Sequence, residues 1–296
     1  MKKINLLESV SKVSIKTVFA LSILLLLISA VGYWKYILTD PDKVFEGALR
    51  NSLQTKSVTK IIEQKEEGNY SKQTIALRFS PSLGVASKYE LKRGEGDQQA
   101  YTQTEVLGLK NADYIRYNKI QSPQISDQKR KDIEGVWAKV GEDEASGQKP
   151  SVYNDALFSV IIFGDLPDDQ ADKVMQRLLS QDVYAIDSYS TKSHNGRLVA
   201  NMVIKVKPKN LVESIKYYAG QTGYIDVDKL DSEGLSNEPI SLDIRIDLVS
   251  RQISEINYAG GQRVEQYGAY GQYRKISIPK QPISFDQLSQ KIQSLQ

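Results

Sequence analysis

From Thr17 to Trp34 the chain carries no charged residue for 18 positions, and this run constrains the protein more than any other feature of its 296 residues. At a rise of ~1.5 Å per residue a helix over the run spans about 27 Å, close to the hydrocarbon thickness of a bilayer. Ten of its positions are strongly apolar (Val18, Phe19, Leu21, Ile23, Leu24, Leu25, Leu26, Leu27, Ile28 and Val31). On an insertion scale they contribute roughly −3 to −6 kcal/mol. The run predicts one N-terminal transmembrane helix over 17–38, anchored through Phe19, Leu24, Leu25, Leu26, Leu27, Ile28 and Trp34. Lys2, Lys3, Lys12 and Lys16 precede it and only Lys35 follows closely, so by the positive-inside rule residues 1–16 are expected in the cytoplasm and 39–296 outside. Tyr33, Trp34 and Tyr36 fall at the far boundary, where amphipathic rings favour the headgroup layer. The rival expectation is a secretory signal cleaved after Ala30, against which the sixteen residues ahead of the run are long for a leader.

The chain has no cysteine. Disulfides, thiolate metal ligands, a cysteine nucleophile and a lipidated cysteine are therefore all absent from the possibilities, and a 258-residue exterior body must be held by its core. Five of the 39 lysines and arginines and one of the 36 acids lie before Thr39, which leaves 34 against 35 in the body, a net charge of −1. No cationic excess remains there for a nucleic acid, and none is expected as a partner.

After Asp40, Pro41 starts a predicted helix over 41–54 with Val44, Phe45, Ala48, Leu49 and Leu53 on one face. Strands are expected near 58–66, 74–79, 85–92, 100–108, 113–118 and 136–140. Residues 119–135 and 141–149 are polar and read as loops. Two helices follow, one over 152–163 ending at Gly164 and one after Pro167 with Ala171, Val174, Met175, Leu178 and Leu179 on one side. Strands at 183–191 and 197–206 flank His194-Asn195-Gly196, the strongest hairpin signal in the chain. A helix near 209–219, strands near 241–248, 252–258, 263–270 and 272–278, and a helix from Ser284 complete the order. Ser284 and Gln287 make a capping box, with Ile283 and Leu288 placed as its hydrophobic staple. The class is α+β in one exterior domain.

Gly135-Val136-Trp137-Ala138-Lys139-Val140, Ile244-Arg245-Ile246-Asp247 followed by Ser250-Arg251-Gln252, and Tyr270-Gly271-Gln272-Tyr273 ahead of Ile276-Ser277-Ile278-Pro279 are three local strings in this order of elements. In them, and in the element order over about 40–296, the chain resembles the LolA/LppX-like envelope lipoprotein-carrier family. The resemblance implies a curved antiparallel sheet, an open half-barrel, covered by helices, with an acyl chain or lipid held between. It implies a cavity lined by Phe45, Leu49, Trp137, Leu157, Ile161, Met175 and Leu178. The chain departs from that family in having an apolar helix and no lipid-accepting cysteine. A fixed, membrane-tethered binder is then expected rather than a diffusing carrier, with a scaffold or protein-partner module without a cavity as the alternative.

Catalytic signals are weak. His194, the only histidine, lies in the hairpin turn, so histidine triads and multi-histidine metal sites are unavailable. Ser57-Val58-Thr59-Lys60 has the Ser-x-x-Lys spacing, but on a strand the two side chains point to opposite faces. Asp165, Asp168, Asp169 and Asp172, with Glu142, Asp143 and Glu144, read as helix-start acids rather than a cation site. No phosphate-binding glycine loop occurs. Tyr267 to Tyr273, three tyrosines interleaved with glycine, fits a ligand stack or a strand with a bulge equally. No enzyme, cofactor or metal is expected.

Overall fold

The computed structural model describes residues 15–34, 39–123, 125–141, 150–227, 230–272 and 274–294. The expected cytoplasmic Lys2, Lys3 and Lys12, the boundary residues Lys35 and Tyr36, the acids Glu142, Asp143 and Glu144, and Tyr273 lie outside the described residues. Helix α1 runs Ile15–Tyr33, 19 residues. Phe19, Leu24, Leu25, Leu26, Leu27, Ile28 and Trp34 are all at least half exposed, from 51% for Trp34 to 71% for Leu26. Among the described residues no helix is long and apolar enough to cross a membrane.

Helix α2, Pro41–Leu53, begins where the Asp40 side chain accepts a hydrogen bond from Lys43 N at 3.2 Å, with proline at the first helical position where its missing N–H costs nothing. Five ten-residue strands follow as a meander: β1 Ser57–Glu66, β2 Asn69–Arg78, β3 Gly84–Arg93, β4 Ala100–Leu109 and β5 Ala112–Gln121. A short helix α3 (Asp127–Lys131) leads to β6, Ala138–Gly141. The chain then crosses the sheet through helices α4 (Val152–Leu157) and α5 (Asp168–Ser180) to reach β7, Tyr184–His194. From there it returns through β8 (Arg197–Val206), helix α6 (Pro208–Thr222), β9 (Ile240–Asp247), β10 (Ile253–Tyr258) and β11 (Arg263–Gly268). The two-residue β12 (Ile283–Ser284) and helix α7 (Phe285–Gln293) close it, with the expected capping box of Ser284 and Gln287 present.

The sheet is open and twelve-stranded, in the order β12-β6-β5-β4-β3-β2-β1-β11-β10-β9-β8-β7. Every pairing is antiparallel except β12 with β6. Two meanders therefore meet at the β1–β11 seam, where Lys60 lies opposite Tyr267 and Ile62 opposite Glu265. The β7–β8 turn puts Asn195 at φ 50° and Gly196 at φ 73°, the backbone that an Asn-Gly hairpin selects.

One face of the sheet carries the helices and the main core; the other is wet. On the core face Met202, Ile204, Leu242, Ile244 and Ile246 recur at every second residue and are at most 2% exposed. On the wet face ion pairs form a ladder, across strands in Lys72–Glu63 at 2.7 Å, Arg116–Glu105 at 2.5 Å and Arg245–Glu255 at 3.1 Å, and along β3 in Lys88–Glu90 at 2.9 Å. A smaller cluster of Ile120, Ile133, Ala138 and Leu288 seats α7 against β6.

Two expected elements differ, and 119–135, expected as a loop, holds the end of β5, helix α3 and the buried Ile133, which joins the smaller cluster. The helix predicted over 152–163 stops at Leu157, and residues 158–163 run without helical bonding. Ile161, Ile162 and Phe163 are consecutive and all buried, which a one-sided helical stripe cannot achieve. Their stretch is fixed from outside: Tyr184 Oη donates to Val160 O at 2.6 Å and Tyr218 Oη to Phe163 O at 2.8 Å. The strand predicted over 272–278 is also absent from the described residues of that segment. Both edges of β1 are already occupied, by β2 and β11, so the segment crosses the strand end instead, with Gly271 N donating to Ser57 O and Arg78 Nη1 to Arg274 O.

Candidate functional site: a groove under a short helix

Helix α4 has six residues and lies across β2, β3 and β4. Its start is fixed to the sheet by two adjacent features. Asp113 Oδ2 accepts from Ser151 N at 2.7 Å and Val152 N at 3.1 Å, supplying a charged acceptor to backbone donors that a helix start leaves free. Gly108, directly opposite Asp113 in register, lets the chain touch the strand: a Cβ there would lie 2.8 Å from Tyr153 N. Helix geometry ends one turn and a half later at Phe158.

Beyond the fixed point the helix does not fill the face beneath it. A cavity of about 480 Å³ remains between α4 and the sheet, inside the ~300–1,000 Å³ range of ligand sites. Its floor includes Ile75, Val85, Val106 and Ile115, and its roof Val152, Ala156 and Phe158. Ile62, Val106, Ile115, Val152 and Phe158 are only half-buried.

Lys60 and Arg263 line the seam side of the groove. Beside them Glu265 is 1% exposed and accepts hydrogen bonds from Arg263 Nε at 3.1 Å, Arg263 Nη2 at 2.6 Å, Tyr258 Oη at 3.1 Å and Tyr267 Oη. Burial alone would raise the Glu265 pKa, but the charge of Lys60, the Tyr267 hydroxyl and Arg263 together hold it below the usual carboxylate value. Lys60 is 2% exposed; burial pushes its ammonium pKa down against the pull of Glu265. The Arg263 guanidinium lies over the Tyr258 ring at 5.0 Å.

None of the seven residues expected to line a cavity lines this one. Phe45, Leu49, Leu157, Ile161, Met175 and Leu178 belong to the packed core, with Phe45 set edge-on to Tyr184 at 5.3 Å. Trp137 lies against Arg116 of the wet-face ladder, 4.6 Å from guanidinium carbon to ring centroid. A helical stripe reveals which side of a helix is buried, not whether the surface opposite leaves room. Lys60 was missed, yet it carried a signal: Val58, Lys60 and Ile62 occupy one alternating face of β1, so the lysine interrupts the buried phase of a strand.

The other motifs resolve as structure. Ser57 Oγ donates to Gln272 O at 2.8 Å, while Lys60 faces the groove, so the pair does not act together. Asp168 and Asp172 pair with Arg50, and Asp169 with Lys173 at 3.8 Å. Among the described residues no group of three or more His, Cys, Asp or Glu is placed to hold a metal ion. His194 stays exposed in the hairpin. Tyr267 and Tyr270 turn inward onto Phe163, at 5.3 Å and 6.4 Å, and Tyr270 Oη donates to Ile253 O at 2.7 Å.

No family model matches the chain, and no curated protein matches it. Among solved structures it is similar to the crystal structure of LprF from Mycobacterium bovis, at 12% identity and a TM-score of 0.43, covering 81% of this chain and 98% of that one.

Proposed function

We propose that the chain is a non-enzymatic, membrane-anchored extracytoplasmic domain that binds the alkyl chain of a lipid in the groove between β1–β5 and α4. The observation that carries this is a cavity of about 480 Å³ on the apolar face of a sheet whose other half is lined by buried core residues such as Met202, Ile204, Leu242, Ile244 and Ile246. An alkyl chain entering it recovers about 0.8 kcal/mol per buried methylene, so ten methylenes supply roughly 8 kcal/mol. Part of that offsets the loss of free motion on association, roughly 4 kcal/mol or more. Arg263, Tyr258 and Tyr267 at the seam are engaged with Glu265, which favours binding over chemistry.

The anchor is proposed from the 18 uncharged positions and from α1, whose 19 residues span about 28 Å at 1.5 Å each. The described large apolar side chains of α1 are exposed, as lipid-facing side chains must be. With the lysines preceding the run inside, 39–296 faces outward. A scaffold without a ligand is favoured only by the β7–β11 half, where α2 occupies the space over β7 and β9.

The test uses the full chain in a non-ionic amphipol and N-phenyl-1-naphthylamine, a neutral dye that brightens in apolar pockets. Wild type is expected to bind it saturably, and Val106→Trp, which fills the groove, to lose at least tenfold in affinity. Equal binding by both proteins rejects the groove as the site.

A further inference from the structure

Lys60 is a lysine in an apolar wall. It is 2% exposed and lines the groove from the middle of β1, between Val58 and Ile62 on the same face. Its natural partner is Glu265, across the β1–β11 seam, but that carboxylate already receives four hydrogen bonds, from the Nε and Nη2 of Arg263 and the hydroxyls of Tyr258 and Tyr267. Among the described residues Lys60 Nζ makes no hydrogen bond and no ion pair within 4 Å, and the side chain lines the cavity with three ammonium donors to offer. An ammonium on a side chain this deeply buried has little water to bind, so an acceptor in the groove lowers its free energy. Arg263, also at the groove and 41% exposed along its side chain, adds a second cation whose outer side is open. One acid, Asp155 of α4, also lines the groove and is exposed.

We propose that the groove selects an anionic amphiphile, one alkyl chain ending in a carboxylate or phosphate, with Lys60 as the head-group site and Arg263 assisting. The proposal rests on the alkyl-binding reading above and deepens it. The chain lies over Val85, Val106 and Ile115, and the oxyanion reaches the seam, where it accepts from Lys60 Nζ. Charge-assisted hydrogen bonds in such low-dielectric surroundings are the strong ones, so the head group is worth tenfold in affinity or more.

Competition against groove-bound N-phenyl-1-naphthylamine on the full chain tests this, the relevant signal being the part that Val106→Trp abolishes. The competitors are hexadecanoate, hexadecyl phosphate, neutral hexadecanol, and acetate and inorganic phosphate as free head groups. Wild type is expected to take one or both long anions at least tenfold more tightly than hexadecanol, and the ratio between the two tells carboxylate from phosphate. Lys60→Met, of similar length and apolar, is expected to erase that preference while hexadecanol competes as before, which also shows that the variant keeps its groove. Equal competition by hexadecanol and the anions in wild type overturns the head-group site and leaves alkyl binding standing. A Lys60→Met that loses hexadecanol in parallel with the anions overturns it too, since the lysine then only supports the groove. Competition by acetate or inorganic phosphate as strong as by the long anions overturns the amphiphile in favour of a free anion. Failure of every long-chain competitor overturns both readings together.

Discussion

The two halves of the sheet turn the same face toward the helices and end differently. Over β7–β10 the face is apolar, with Met202, Ile204, Leu242, Ile244 and Ile246 packed beneath α2, α5 and α6, helices of 13, 13 and 15 residues. Over β1–β5 the same alternation places Lys60, Gln73, Ser87 and Thr104 among Ile75, Val85 and Val106, beneath α4 with six residues. Gln73 Nε2 donates to Ser87 Oγ at 3.1 Å, so this face satisfies polar groups within itself rather than with a covering helix. The difference teaches that covering an apolar face is not the same as filling it. Where the helix is short and tied at one end, the face stays half-open and its polar residues keep a use.

The largest effect that separates the halves is truncation of their side chains. Ile244→Ala, in the filled half, is expected to lower stability by about 2–5 kcal/mol, whereas Val106→Ala, at a wall that already faces space, costs under ~1 kcal/mol. Chemical denaturation of both variants checks this, and equal losses would erase the distinction. Next comes the fixed end of α4. Gly108→Val drives a side chain into Tyr153 N and Val152 Cγ1, so about 1–3 kcal/mol of stability is lost and dye binding weakens as the helix lifts. Asp113→Ala removes the acceptor from the same helix start, at a cost of about 1 kcal/mol read from the same unfolding curves.

Glu265 gives the seam a pH signature. Its folded pKa lies below the ordinary carboxylate value of 4.5, so its contribution is complete above that value and is lost as pH falls through the folded pKa. Acid unfolding followed by circular dichroism is expected to be less steep below pH 4.5 in Glu265→Gln than in wild type. The smallest effect belongs to the wet face, where Lys72→Ala breaks the half-exposed pair with Glu63 and changes stability by under ~0.5 kcal/mol. A larger loss there would mean that the ladder, not the core, holds β1–β5 together.

Much of the architecture was legible in the sequence because it is written locally. Asp40-Pro41 starts α2, Asn195-Gly196 turns the hairpin, and Ser284 with Gln287 caps α7. The alternation of Leu242 to Leu248 gives β9 and its buried side. What failed depended on distant partners. Nothing near residues 158–163 announces that Tyr184 and Tyr218 claim their carbonyls, and nothing in 272–278 reveals that both edges of β1 are taken. The residues expected to line a cavity sit in the core for a related reason: Phe45, Met175 and Leu178 lie on apolar stripes of 13-residue helices that join the main cluster. The groove lies under the six-residue α4, and the lysine breaking the phase of β1 was its most direct trace.

The comparison between the halves comes down to where an alkyl chain goes. With the full chain labelled at isoleucine and valine methyls in a perdeuterated amphipol, and protonated hexadecanol added, cross-relaxation between its methylene protons and the protein methyls reads this directly. The account predicts contacts to Ile75, Val85, Val106 and Val152 and none to Ile204, Ile244 or Ile246. Contacts confined to the second set, or to neither, would contradict it.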